Sequence, residues 1–169
     1  HNHEALLGHV PSRRFGRSLE IDLVPYQTCT LDCIFCQLGR TPTKTMHRKD
    51  YIPIDTVLAE LDAWLAADNQ ADVLTLSGSG EPTLHTHFGR VLEYIGQNSS
   101  IPSLLLTNAT LLNRPEVRQE AAQASMVKTS LCAWDQKSFA RINRPHPDLD
   151  FTSFVQGQIQ FREEFHGQL

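Results

Sequence analysis

Three cysteines stand within eight residues of one another, at Cys29, Cys33 and Cys36. Their C-x3-C-x2-C spacing brings three thiol side chains to one place, and thiolates are the usual ligands of iron–sulfur clusters. A cubane cluster held by three protein thiolates keeps one iron open to an external ligand. The spacing therefore predicts an iron–sulfur site that can also bind a small molecule.

Two other interpretations of the cysteines are open on spacing alone. Structural zinc sites commonly use paired C-x2-C units, and a second pair is missing here, so a zinc site would need a distant ligand such as Cys132. Apolar neighbours predict that Cys132 is instead a small buried residue. A thioredoxin-type motif at Cys33-x-x-Cys36 would give Cys29 no role.

A glycine-rich segment, Ser77-Gly-Ser-Gly-Glu-Pro82, is the second candidate for a binding loop. Small residues let a ligand approach the backbone closely, so the backbone groups of Gly78, Ser79 and Gly80 are candidates to contact one. Taken alone, the segment is more typical of a plain strand-to-helix turn.

Hydrophobic periodicity predicts the elements that position these segments. Alternation of period two predicts a first strand, and apolar stripes at helical spacing predict amphipathic helices. The predicted strands are 19–23, 72–77, 103–107 and 126–131. The predicted helices are 55–67 with Asp55 as N-cap, one beginning near Thr86, one near Pro115, and 150–165 with Asp150 as N-cap.

The regular alternation of these strands and helices predicts an α/β fold with a parallel sheet and the helices outside it. Residues 1–10 have no periodicity and predict an irregular terminus. Four βα units do not close a barrel, so we expect an open sheet edge unless something covers it.

Polar residues end the third and fourth predicted strands, at Thr107, Asn108 and Ser130. Ligands of parallel βα arrays collect at the carboxyl ends of the strands. Asn108 and Ser130 are therefore candidate binding residues, with helix capping or turn formation as an equally weighted alternative.

The two motifs together resemble the signature of the radical S-adenosylmethionine (SAM) superfamily. The cysteine motif has an aromatic residue, Phe35, before its last cysteine, and a glycine-rich motif ending in Glu81-Pro82 follows the second strand. Ser79 separates two glycines that are usually adjacent. Segments 10–18, 36–40 and 142–146 further resemble a family of Fe–S oxidoreductases that is similar to the wyosine-type tRNA-modifying radical SAM enzymes.

The resemblance implies a [4Fe–4S] cluster bound by Cys29, Cys33 and Cys36, with SAM chelating the open iron. It implies reductive cleavage of SAM to a 5′-deoxyadenosyl radical, which abstracts hydrogen from a substrate that the sequence does not identify. An external electron donor such as flavodoxin or ferredoxin is implied as a partner.

The resemblance also assigns SAM contacts. It places Gly78, Ser79, Gly80 and Glu81 near the amino group of SAM. It places Phe35 against the adenine or beside the cluster, with ordinary loop packing as the alternative.

Cores of this kind have six βα units, and residues 1–169 supply about four. We therefore expect 1–169 to be one domain, the N-terminal part of a partial (βα) barrel that binds its cluster weakly and is catalytically poor by itself. The alternative function is a non-catalytic Fe–S or zinc-binding module.

The composition is that of a globular protein, 40% hydrophobic and 20% charged over 169 residues. No apolar run approaches the roughly 18 residues of a membrane span, and no signal-peptide pattern opens the chain. We therefore expect a soluble, cytoplasmic protein with no membrane partner. The net charge of −4 argues against a generally basic nucleic-acid binder, while the cluster of Arg13, Arg14 and Arg17 keeps RNA as one candidate substrate.

Overall fold

The computed structural model describes residues 6–12, 16–36, 38–77, 79–130 and 132–169. The strands are β1 (Leu6–Ser12), β2 (Gly16–Ile21), β3 (Thr28–Cys29), β4 (Thr43–Lys44), β5 (Val73–Leu76), β6 (Ser103–Thr107) and β7 (Met126–Thr129). The α-helices are α1 (Ile54–Ala66), α2 (Phe88–Asn98), α3 (Pro115–Ala121), α4 (Gln136–Asn143) and α5 (Phe151–Glu164), and a short 3-10 helix covers Pro82–Leu84.

The main sheet has the strand order β1-β2-β5-β6-β7. Strands β2, β5, β6 and β7 are parallel, and β1 pairs antiparallel with β2. All four residues of β5 are buried, as expected for a parallel strand that is covered on both faces. The predicted α/β fold with four parallel strands is confirmed.

The amphipathic helices contribute their predicted apolar stripes to the core. Val57 and Leu61 of α1 and Val91 and Ile95 of α2 are almost fully buried and belong to the same hydrophobic cluster as the strands. Asp150 caps α5 as predicted, because its side chain accepts a hydrogen bond from the Ser153 N–H. No helix in the described part of the chain is long and apolar enough to cross a membrane.

Two predictions about local structure are wrong, and one helix was missed. Asp55 is not an N-cap, since α1 begins at Ile54, whose N–H donates to the Asp50 carboxylate at 3.0 Å. Residues 6–12 form strand β1 and not an irregular terminus, because a neighbouring strand supplies the backbone partners that periodicity does not reveal. Helix α4 was not predicted, although a capping box between Asp135 and Ser138 opens it.

Both edges of the four-stranded parallel sheet have a neighbouring segment. Strand β1 covers β2, and at the other edge Gln168 forms a parallel bridge with Met126 of β7. The Val127 N–H donates to the Gln168 carbonyl at 2.9 Å. Neither edge of the parallel sheet is therefore fully open. Strand β1 supplies backbone partners at one edge, and the short bridge at Gln168 supplies them at the other.

Candidate functional site

The carboxyl ends of β5, β6 and β7 meet at one edge of the sheet, and the cysteine segment lies across them. A cavity of about 420 Å³ opens between the two. Every described residue among the predicted site residues lines this cavity: Cys29, Cys33, Phe35, Cys36, Ser79, Gly80, Glu81, Asn108 and Ser130. Gly78 lies outside the described residues.

The cysteine segment is held by backbone hydrogen bonds on both sides. Cys29 lies in β3, which pairs with β4, and its carbonyl accepts from the Thr45 N–H at 2.9 Å. The Cys36 N–H donates to the Cys33 carbonyl at 3.2 Å, and the Gly39 N–H donates to the Cys36 carbonyl at 3.1 Å. All three cysteines are free thiols and half-buried.

Two asparagine side chains approach the cysteine sulfurs. The Nδ2 of Asn108 lies 3.4 Å from the Sγ of Cys29, and the Nδ2 of Asn143 lies 3.2 Å from the Sγ of Cys33. Burial, followed by the charge of Glu81, raises the pKa of Cys29 to about 12, and burial raises the pKa of Cys33. The two sites therefore disfavour thiolates until a positive centre is bound, because a cation reverses the cost of burying the charge.

A single ion and a cluster make different demands on these thiols. Across the described ranges, no three His, Cys, Asp or Glu side chains are grouped so that they could hold one metal ion. A cubane cluster instead gives each cysteine its own iron, so its ligands need not converge on one point.

Glu81 is buried, and both of its carboxylate oxygens accept hydrogen bonds from the protein. Its carboxylate accepts from the Thr83 N–H at 3.1 Å, from the Thr83 hydroxyl, from the Thr107 hydroxyl at 2.7 Å and from the Asn108 N–H at 2.7 Å. Burial raises the pKa of Glu81 against the opposite effect of these donors. The carboxylate thus ties the glycine-rich segment to the end of β6.

The glycine-rich segment packs directly on the backbone of the cysteine segment. The Glu81 N–H donates to the Thr28 carbonyl at 3.0 Å, and the Ser79 hydroxyl donates to the buried Asp22 carboxylate at 2.5 Å. A β-carbon at Gly80 would overlap the Thr28 carbonyl oxygen and lie 2.8 Å from the Val24 side chain. Gly80 is therefore required for this close approach.

The structure adds a site residue that the sequence prediction omitted. Ser77 ends β5, lines the cavity and is 9% exposed, and its hydroxyl has no hydrogen-bond partner among the described residues. A buried hydroxyl without a partner is costly, so this atom fits a polar group of a bound ligand. Ser77 could have been predicted from the sequence, because it is the first residue of the glycine-rich motif.

Lys128 of β7 also lines the cavity and was not predicted. Its side chain is exposed, and it brings a cationic group to the rim on the side of Thr129 and Ser130. The sign of this charge suits an anionic group of a ligand. Phe35 is 53% exposed and presents its ring at the same cavity.

One prediction about a more distant residue is wrong, and the arginine group lies mostly outside the described residues. Cys132 is exposed, so the prediction of a small buried residue is wrong: the chain leaves the sheet after β7, and apolar neighbours do not carry the side chain into the core. Arg13 and Arg14 lie outside the described residues, while the backbone of exposed Arg17 donates to the Asp72 carboxylate.

Comparison with known families gives one match over most of the chain. The family model described as the Radical SAM superfamily matches residues 23–152.

Two curated relatives are similar over nearly the whole chain. A protein named GTPase Obg, from Brachyspira hyodysenteriae, is 36% identical over 163 residues, covering 96% of this chain and 24% of that protein. A UPF0026 protein from Synechocystis sp. is 40% identical over 166 residues, covering 98% of this chain and 62% of that protein. The chain thus spans less than two thirds of the length of either relative.

One solved structure gives the same fold at low identity. The structure of anSMEcpe with bound AdoMet and a Kp18Cys peptide matches with a TM-score of 0.62 and 18% identity, covering 89% of this chain and 41% of that one. This likeness confirms the predicted partial (βα) barrel. An archaeal TYW1 structure matches with a TM-score of 0.45 and 16% identity, covering 82% of this chain and 51% of that one.

Proposed function

Because the chain belongs to the radical SAM superfamily, we propose that it binds a [4Fe–4S] cluster through Cys29, Cys33 and Cys36 and cleaves SAM reductively. The product is a 5′-deoxyadenosyl radical that abstracts hydrogen from a substrate. The observation that carries the proposal is that the described residues of both motifs line the same cavity of about 420 Å³.

The donor set supports a cluster. Three half-buried thiols face a common cavity, and thiolates are the preferred ligands of iron–sulfur clusters. When bound, the cluster supplies one electron to the sulfonium of SAM. The residues of this chain bind and orient the two groups, and the apolar lining at Leu31 and Leu106 limits the access of water to them.

The opposite wall of the cavity supports SAM. A volume of about 420 Å³ is within the usual range for a small-molecule site. Backbone groups of the glycine-rich segment, including Gly78, Ser79 and Gly80, would contact the amino end of SAM. The Ser77 hydroxyl, which has no hydrogen-bond partner among the described residues, would lie beside them. Phe35 would lie against the adenine.

Glu81, Asn108 and Ser130 complete the proposed SAM site. Glu81 acts in it by fixing the glycine-rich segment to Asn108, since its oxygens accept from protein donors. The Asn108 side chain donates to the sulfur of Cys29, and its backbone N–H donates to the Glu81 carboxylate. Asn108 thus connects the cluster side of the cavity to the SAM side. Ser130 is exposed at the rim and is free to meet the ribose or carboxylate.

The partners follow from the chemistry. Each cleavage consumes one electron, so an external donor such as flavodoxin or ferredoxin is required. We assign the protein to the cytoplasm, where thiols are kept reduced. The substrate of the whole protein is open, and RNA is one candidate.

Anaerobic reconstitution tests the proposal. Iron and sulfide should give a brown protein with about four irons per chain, and dithionite with SAM should yield 5′-deoxyadenosine above the level of a Cys36→Ala variant. The yield should be low if this chain alone is catalytically poor. A colourless protein that binds one zinc per chain would contradict the proposal and favour the non-catalytic zinc-binding module.

A further inference from the structure

The segment Ile142–His146 comprises the last two residues of α4 and the three residues after it. It lies along the cysteine segment, although the proposed function gives it no role. The Ile34 N–H donates to the Ile142 carbonyl at 3.0 Å, and the Asp32 N–H donates to the Asn143 carbonyl at 2.9 Å. Further along, the His146 N–H donates to the Thr30 carbonyl at 2.9 Å. The segment thus fixes the backbone between the first two cysteines and just beyond the second.

Asn143 is the residue of this segment that reaches a cysteine sulfur. It is 7% exposed, its carbonyl is held by Asp32, and its Nδ2 lies 3.2 Å from the Sγ of Cys33. A buried amide whose backbone is anchored one residue from the ligand has little freedom to turn away. Its N–H is therefore directed at the sulfur.

An ion pair beside Asn143 restrains the same contact. Arg144 ends α4 in the left-handed conformation, with φ of 42°, and Pro145 follows it. Its Nε lies 3.3 Å from the Asp32 carboxylate, and its carbonyl accepts from the Lys44 ammonium at 3.1 Å. Asp32 is itself buried and also accepts from the Thr41 N–H at 2.8 Å.

We propose that Asn143 is a positioning residue for Cys33, and that its N–H···S hydrogen bond raises the reduction potential of the cluster. The inference rests on the proposed function. Reduction adds negative charge to the cluster and its thiolates, and a donor directed at a ligating sulfur stabilises that charge more than it stabilises the oxidised state. Residues of this kind, which hydrogen-bond a metal ligand, both orient the ligand and tune the metal.

The test compares reconstituted chains without SAM. Asn143→Leu removes both polar groups at similar volume, and Asn143→Ala removes the amide without adding a charge. Asn98→Leu is the matched control, because Asn98 is exposed at the end of α2. Iron and sulfide content, circular dichroism and an EPR-monitored redox titration are measured for each.

Both Asn143 variants should lower the ratio of reduced to oxidised cluster at a fixed potential by about tenfold, which is about 59 mV for a one-electron couple. The Asn98→Leu control should match the wild type. Loss of the cluster from both Asn143 variants, with native circular dichroism, would support the positioning role.

A fully loaded Asn143→Ala variant with the wild-type potential would overturn this inference and leave the proposed function standing. That variant decides the matter if Asn143→Leu fails to fold. A wild-type chain that takes up no iron–sulfur cluster would overturn the proposed function and, with it, this inference.

Discussion

Substituting Gly80 by alanine should separate the two halves of the site. A β-carbon there would overlap the carbonyl oxygen of Thr28 and lie 2.8 Å from the Val24 side chain. The first of these atoms belongs to the backbone and cannot turn aside. Gly80 is not in the left-handed region, so the cost of the alanine is the overlap alone and includes no backbone strain.

Overpacking of this kind costs about 1–3 kcal/mol. A cost near 2 kcal/mol corresponds to a fall in melting temperature of about 4–8 °C for a chain of this size. Because the Thr28 carbonyl also accepts from the Glu81 N–H, relief of the overlap must move the cysteine segment away from the glycine-rich segment. We therefore also expect a lower iron content after reconstitution.

Gly96 provides the matched control. It lies in the last turn of α2, is exposed, and a β-carbon there would meet no described atom within 4 Å. Gly96→Ala should therefore raise stability by up to about 1 kcal/mol through helix propensity and leave iron content unchanged. Thermal unfolding and iron analysis of the two variants measure both effects. Equal stability and full iron loading of Gly80→Ala would refute the packing argument.

Three further predictions concern single side chains. Glu81→Gln turns an amide N–H₂ toward donors of Thr83 and Thr107 and should cost about 1–3 kcal/mol in thermal unfolding, whereas Glu93→Gln, exposed on α2, should cost almost nothing. Burial lowers the pKa of His85, so the folded protein should lose stability as the pH falls below about 6.5, where the unfolded chain takes up the proton more readily. Urea unfolding above and below about pH 6.5 should show a smaller loss of stability for His85→Gln than for the wild type. An equal loss would contradict the assignment of this pH dependence to His85. Replacing any one of Cys29, Cys33 or Cys36 by alanine should abolish cluster-dependent SAM cleavage, while Cys132→Ala should retain it, as product chromatography would report.

The parallel sheet and the location of the site could be predicted because they depend on local patterns. Strands β5, β6 and β7 lie within segments whose apolar residues predict strands, and the carboxyl ends of parallel strands share one edge. The cysteine spacing and the glycine-rich motif follow two of the strands, so their proximity follows from topology. Residues Asn108 and Ser130 could be named for the same reason.

The partners of the site residues could not be predicted, because they depend on contacts between residues far apart in sequence. Asn143 reaches Cys33 across 110 positions. Helix α4, which carries it, has only eight residues, and Phe139 is its one buried apolar side chain. The sequence predicts Glu81 near the ligand, but it does not reveal that the carboxylate accepts from Thr83, Thr107 and Asn108. Strand β1 was missed because its stability comes from pairing with β2 and not from periodicity.

The most direct test of the central claim is the EPR spectrum of the reduced, reconstituted chain before and after addition of SAM. If three cysteines hold the cluster and SAM occupies the fourth iron, the reduced-cluster signal should change its g values on addition of SAM, and a Cys132→Ala variant should behave in the same way. A cluster signal that is identical with and without SAM, or that disappears when Cys132 is replaced, would contradict the assignment of the open iron.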